Sequence, residues 1–170
     1  MNAPASALGI REATQADIDV LVQFNAAMAR ETEAKTLDPA VLKAGVAAVL
    51  AEPRRGFYLV AEQAGEIAAC LMITYEWSDW RNGDWWWLQS VYVRPEHRRG
   101  GVFRALYAQV ERRAATSAGV AGLRLYVERD NASAQQTYAT LGMHETHYRM
   151  YEKAASGCLG EPTPSGVRHG

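Results

Sequence analysis

The sequence predicts an α+β domain, three layers deep (α/β/α), built on a mixed and mostly antiparallel sheet. Three observations carry that expectation. Apolar spacing is helical from residue 14 to 51, alternates from 57 to 93, and then switches between the two up to residue 152. Turn signals at Gly65 and Asn82-Gly83 divide the alternating stretch into consecutive strands that can pair as a meander. Strand-helix-strand steps after Val93 then require at least one parallel crossover. The resulting order is β-α-α-β-β-β-α-β-α-β.

Each element has a local reason. Ile10 and its neighbours suit a short first strand. Thr14-Gln-Ala-Asp17 has the form of a capping box, and Ile18, Leu21, Val22 and Ala26 follow at helical spacing. Asp38-Pro39 opens a second helix, whose stripe of Val41, Leu42, Val46, Val49 and Leu50 is stopped by Pro53. Strands are expected at 57–62, 67–77 and 85–93, the last ended by Pro95. Phe103, Leu106, Tyr107 and Val110 mark a helix, Gly122 to Val127 a strand, and Asn131 to Leu141 a helix closed by Gly142. A final strand is expected from about Glu145 to Glu152. Residues 1–8 and 154–170, rich in small residues, Pro and Gly, read as a flexible N-terminus and a disordered tail around a domain of residues 9–153.

Composition narrows the function. A chain of 170 residues favours one domain and can bury roughly 70% of its unfolded surface without a disulfide or metal staple. Eighteen basic against 19 acidic residues, a balance of -1, argue against nucleic acid or an anionic membrane as partner. No apolar run approaches the roughly 20 residues needed to span a bilayer, and Met1 to Leu8 has no secretory pattern, so a cytoplasmic protein is expected. Cys70 and Cys158 make no disulfide framework, and His97, His144, His147 and His169 show no metal-ligand spacing with them. All five tryptophans fall between Trp77 and Trp87.

The most informative stretch runs from Gln89 to Tyr107. A strand reaches Pro95, a short basic loop follows, and Gly100-Gly101 opens an amphipathic helix. Glycines at a helix start let a ligand approach the backbone, and the helix's first N–H groups favour phosphate. Arg98, Arg99 and Arg104 add positive charge there. The structural alternative is a solvated basic loop at a flexible helix entry. The Gly-Lys-Ser/Thr ending of a P-loop is missing.

Arg98-Arg99-Gly100-Gly101-Val102-Phe103, preceded by Val91, Val93 and Pro95, resembles the Gln/Arg-x-x-Gly-x-Gly/Ala signature of the GCN5-related N-acetyltransferases (GNAT). A second block is similar to the same family: Asn131-Ala-Ser-Ala134, Tyr138, and then Leu141-Gly142-Met143. The likeness covers Ile10 to Glu152 and the element order agrees with that family's fold. It implies an N-acetyltransferase that uses acetyl-CoA. By this resemblance the backbone of Val91, Tyr92 and Val93 pairs with the pantetheine arm, and Val93 N–H faces the thioester oxygen. The backbone amides from Arg99 through Gly100, Gly101, Val102 and Phe103 to Arg104 hold the diphosphate, and Arg98 belongs to the same cofactor-binding loop. Asn131 touches the coenzyme, and Tyr138 protonates the leaving sulfur. For Tyr138 the structural alternative is a core aromatic, and for Asn131 a plain N-cap. Phe103 departs from the pattern, standing where the family has Gly or Ala.

The acceptor side carries no equivalent signature. Some relatives have a Glu on the fifth strand, where Tyr126 falls here, and polyamine-acetylating relatives have an acidic pair where this chain has Gln89-Ser90. The remaining carboxylates are Glu31, Glu33, Glu76, Asp79, Asp84 and Glu128. Glu76, Trp77, Asp79, Trp80, Trp85 and Trp87 combine rings and carboxylates that suit a cationic amine. The alternatives are a hairpin stabilised by cross-strand aromatics or the contact face of a homodimer. Two functions remain in view at this level: an N-acetyltransferase acting on a small amine or a peptide amine, and a non-catalytic acyl-CoA sensor.

Overall fold

The structure is a computed structural model that describes residues 7–153 and 155. The expected tail of residues 154–170 lies outside the described residues except for residue 155, as do residues 1–6 of the expected flexible N-terminus. The chain divides into two compact units, with the boundary between Leu125 and Tyr126.

The first unit holds one five-stranded sheet in the order β1-β2-β3-β4-β5. Its strands are β1 (Gly9–Glu12), β2 (Phe57–Gln63), β3 (Glu66–Ser78), β4 (Gly83–Val93) and β5 (Val120–Arg124). The first four pair antiparallel, and β4 with β5 is the one parallel pair. The helices are α1 (Ile18–Glu33), α2 (Pro39–Ala51) and α3 (Val102–Thr116). The mixed, mostly antiparallel sheet expected from the sequence is therefore present.

Alternation along the strands divides the core. Tyr58, Val60, Cys70 and Tyr92 are buried on one face with Leu21 and Phe24 of α1 and Val46 of α2. Leu59, Ala61, Ala69, Leu71, Ile73 and Leu88 take the opposite parity, and α3 packs on β2 and β3 there through Leu106, Tyr107 and Val110. The sheet thus lies between α1–α2 and α3. The helix starts follow the predicted chemistry: Asp38 Oδ1 accepts from the N–H groups of Ala40 and Val41 at 2.8 and 3.0 Å, and Thr14 N–H donates to Asp17 Oδ2 at 2.7 Å. Val41, placed on the apolar stripe by its spacing, is 51% exposed, because Val46 carries the buried contact of α2 instead.

The Asn82-Gly83 turn differs in its use of glycine. Asn82 takes positive φ, at 46°, whereas Gly83 is the first residue of β4. A Cβ on Gly83 would lie 2.5 Å from the Gly119 carbonyl oxygen, so the missing side chain serves the close approach to the start of β5. The next residue seals that approach, with Asp84 N–H donating to the same oxygen at 2.7 Å.

The second unit contains α4 (Ala132–Thr140). Gly142, at φ 84°, follows its end as expected. The final strand expected at Glu145–Glu152 does not form. A strand exists by pairing, and these residues enter no ladder. The His147 and Tyr148 rings lie 4.2 Å apart, whereas successive strand residues would face opposite ways. The apolar residues that suggested alternation, Tyr148 and Met150, remain exposed.

Candidate active site

The candidate site starts where the β4–β5 ladder ends. This parallel ladder runs through Trp85–Gly122 and Trp86–Leu123 and ends at Trp87–Arg124. From Leu88 to Val93, β4 pairs with β3 on either side of a bulge but has no β5 partner among the described residues. The ladder ends where β5 itself ends, at Arg124.

A bulge sits in β4 beyond that last pair. The β3–β4 register passes from Met72–Gln89 to Cys70–Tyr92, so two β4 residues, Ser90 and Val91, stand opposite Leu71 alone. Ser90 takes positive φ, at 49°. Beyond the bulge, Arg94 N–H donates to Ala68 of β3 at 2.9 Å. Successive residues of a strand alternate their hydrogen-bonding direction, so the N–H and C=O of Val93 point away from β3, to the unpaired side. The Val93 carbonyl accepts from Arg98 Nε at 2.9 Å.

From Val93 the chain makes a one-turn helix at Pro95–His97 and reaches α3 through Arg99 and Gly101, both at positive φ (64° and 78°). The space beside Gly101 where a Cβ would stand is open, with no atom within 4 Å. The first bond of the α3 ladder there joins Ala105 N–H to the Gly101 carbonyl at 3.0 Å. The earlier N–H groups of that turn lie outside the ladder, as at any helix start, and face an anion favourably. Buried Val102 pins this end to the core. Phe103, the departure from the family pattern, is half-buried with its ring 6.2 Å from that of Tyr107, so it takes a place along the helix one turn from a core residue. Arg99, Gly100 and Arg104 are exposed. Thus Val91 to Val93 and Arg98 to Arg104 are brought together by one short connection.

Asn131 and Tyr138 belong to the second unit. Asn131 is the N-cap of α4, its Oδ1 accepting from Ala134 N–H at 3.0 Å. Tyr138 lies half-buried on α4, and burial pushes its hydroxyl pKa up. Tyr126, expected on the fifth strand, falls beyond its end at Arg124 and opens the second unit.

The tryptophans separate onto distinct environments. Trp86 is buried on the α3 face, edge-on to Phe57 at 5.4 Å. Trp85 and Trp87 point to the opposite face. Glu76 accepts from Trp87 Nε1 and from Arg124, the latter at 2.9 Å. The Trp85 ring carries Arg124 at 4.0 Å and Arg81 at 5.0 Å. Asp79 accepts from Trp80 N–H at 2.9 Å within the hairpin turn. Trp77 and Trp80 are 62% and 86% exposed. The carboxylate and ring expected to meet a cation therefore already hold the protein's own arginines.

Arg124, Gly122 and the Ser90 bulge carry no motif in the sequence. Gly122, expected to open a strand reaching Val127, lies in the middle of β5. Its reason is the Trp85 ring, which a Cβ there would approach to 2.6 Å.

Residues 23–143 match the family model described as the acetyltransferase (GNAT) family. Among solved structures, the chain is 44% identical to a possible acetyltransferase from Clostridium difficile 630, over 87% of this chain and 97% of that one, with a TM-score of 0.82. A GCN5-related N-acetyltransferase from Ralstonia eutropha JMP134 shares the fold at 22% identity, 88% and 100% coverage and a TM-score of 0.70. A predicted acetyltransferase with acetyl-CoA from Clostridium acetobutylicum does so at 16% identity, 86% and 96% coverage and a TM-score of 0.70. Among proteins with curated functions, none matches the sequence. A bulged strand leading to a glycine-started helix agrees with a family match over most of the chain, and the chain belongs to the GNAT family of acetyltransferases.

Proposed function

We propose that the protein moves an acetyl group from acetyl-CoA to a primary amine of a small molecule or peptide by direct attack. The observation that carries this reading is the unpaired side of β4 from Leu88 to Val93, which runs by one short turn into the start of α3. That arrangement fits the coenzyme's chemistry. The strand edge supplies backbone groups to an amide-bearing arm, and the start of α3 supplies N–H groups to a diphosphate.

Acetyl-CoA supplies an activated acyl group as its thioester. The amine nitrogen attacks the carbonyl carbon, negative charge gathers on the oxygen, and the C–S bond then breaks. In this reading the Val93 N–H, pointing to the unpaired side, stabilises that charge. Tyr138, whose hydroxyl burial pushes above its already high ordinary pKa, gives its proton to the departing sulfur. The acceptor must first lose a proton, which costs about 5 kcal/mol for an ordinary alkylamine at neutral pH. Glu31 and Glu76 are both engaged by arginines, which makes solvent the proton acceptor this reading favours.

A panel of amines incubated with acetyl-CoA, read by thiol release, tests the reaction. Turnover above hydrolysis with some amine supports it. Binding of acetyl-CoA with no turnover across the panel would favour an acyl-CoA sensor. Tyr138→Phe should lower kcat at least about tenfold and leave coenzyme affinity within about twofold.

A further inference from the structure

Arg98 stands at the first position of the coenzyme-loop motif, where its charge would ordinarily be assigned to the phosphates. Its guanidinium is instead committed elsewhere. Nε donates to the Val93 carbonyl at 2.9 Å, and Nη2 donates to Glu31 Oε2 at 2.6 Å. The guanidinium also lies over the Tyr92 ring at 5.6 Å. The Tyr92 hydroxyl donates to the other oxygen of Glu31 at 3.1 Å, which closes a ring of contacts. This ring joins three elements: the last turn of α1, the end of β4 and the loop before α3.

We infer that Arg98, Glu31 and Tyr92 form a clasp that positions the Val93 backbone for the reaction, and that the Arg98 side chain is not a phosphate ligand. The inference rests on the proposed role of Val93. The peptide unit between Val93 and Arg94 is bonded on both sides: Arg94 N–H goes to Ala68 of β3, and the Val93 carbonyl goes to Arg98. The residue before it is fixed through its side chain, with the Tyr92 ring 5.1 Å from Phe24 of α1 and its hydroxyl on Glu31. The Val93 N–H lies between these two anchors. With no β5 partner to hold it, its direction depends on them. A strand with no neighbour on one side lacks half of its ladder bonds there, and the clasp replaces the missing constraint at the point where orientation matters.

Glu31 is the member no coenzyme contact would require. Its carboxylate lies below its ordinary pKa, through the Arg98 hydrogen bond first and the Tyr92 hydrogen bond after it. A carboxylate so held suits an anchor more than a proton acceptor. Lysine in place of Arg98 would keep the charge but lose the fork that reaches Val93 and Glu31 together.

The test uses Arg98→Lys, Glu31→Gln and the double variant in the full chain. Coenzyme affinity is measured by calorimetry and turnover with an amine found in the panel. Each single variant should lower kcat about tenfold while the Kd for acetyl-CoA stays within about twofold. The double variant should be no slower than about the worse single one, because both changes break the same clasp. Arg98→Lys weakening coenzyme binding while Glu31→Gln is silent would overturn the inference and make Arg98 a phosphate ligand. Multiplicative effects in the double variant would also overturn it. A turnover-free readout separates this from failure of the proposed reaction. The Arg98 Nε–H resonance, assigned by its loss in Arg98→Lys, should exchange slowly with solvent and should quicken in Glu31→Gln. An unchanged exchange rate would remove the clasp even if no amine is ever acetylated.

Discussion

Asp17 offers a measurable link between sequence and stability. Its carboxylate closes the turn before α1 by accepting from Thr14 N–H, and it receives both terminal nitrogens of Arg11 at 2.7 and 2.9 Å. The Arg11 hydrogen bonds are the largest cause of its depressed pKa, which falls from an ordinary 3.8 to about 2. Because the side chain is 8% exposed, solvent screens the interaction little. Across that gap, at roughly 1.4 kcal/mol per pH unit, ionised Asp17 contributes about 2 kcal/mol to folding. The sign follows from the direction. A depressed pKa means that the unfolded chain takes up the proton first, so the contribution is complete above pH 4 and is lost as pH falls towards 2. Asp17→Asn removes the charge at every pH. Urea unfolding of both proteins at pH 7, 5, 3 and 2 should show a difference of about 2 kcal/mol in the first two conditions that shrinks through the last two. A difference that stays constant down to pH 2 would refute the ion-pair account and leave only a packing defect. No difference at pH 7 would refute it outright.

Three further outcomes follow from the same structure. Gly122→Ala would place a Cβ 2.6 Å from Trp85 at φ 153°, so it should destabilise the protein by roughly 1–3 kcal/mol and change the tryptophan emission. Wild-type stability and emission would contradict the packing of that ring on β5. Cys70 is wholly buried and its thiol is pushed up to about 12, so it should resist a thiol reagent at pH 8 until the protein unfolds, whereas rapid native labelling would count against the buried position. Saturating acetyl-CoA, at about 100 times its Kd, should add roughly 2.7 kcal/mol and raise Tm by roughly 5–10 °C. An unmoved Tm would count against the coenzyme site.

The features legible in the sequence are those written in local rules. Asp38 and Asn131 read as helix caps because capping is a contact over two or three residues, and both oxygens do cap. The order of helices and strands followed from period, which depends on neighbours along the chain. Glycine roles were less legible. Gly83 looked like a turn residue, and its actual constraint is an oxygen on a segment 36 positions away, at Gly119. The failed strand at Glu145–Glu152 shows the same limit from the other side, since alternation records what could pair and pairing needs an edge that no local pattern specifies. At the site, the Gly101 start of α3 could be read from a motif. The Ser90 bulge and the Arg98 clasp could not, because register and a contact across 67 positions to Glu31 exist only in three dimensions.

The tryptophan cluster illustrates how a compositional signal acquires a mechanism only when its partners are known. Rings beside carboxylates argue for a cationic guest, since an exposed ring attracts a cation by about 0.5–1 kcal/mol. In the folded protein Arg124 occupies the Trp85 ring and also makes two bonds to Glu76, while Trp87 donates to the same carboxylate. An incoming ammonium at Trp85 would have to displace a guanidinium held by both ring and carboxylate, and it would gain no more than that guanidinium gives up. Recruiting a cation is therefore a poor account of these particular residues. Their position supports another one. Trp87 and Arg124 are the last pair of the β4–β5 ladder, Trp85 lies on Gly122 one step earlier, and Gly83 and Asp84 close on Gly119 at the start of both strands. Every one of these contacts ties β4 to β5. Trp85 and Trp87 thus brace the paired half of β4, and the half from Leu88 to Val93 has no β5 partner among the described residues.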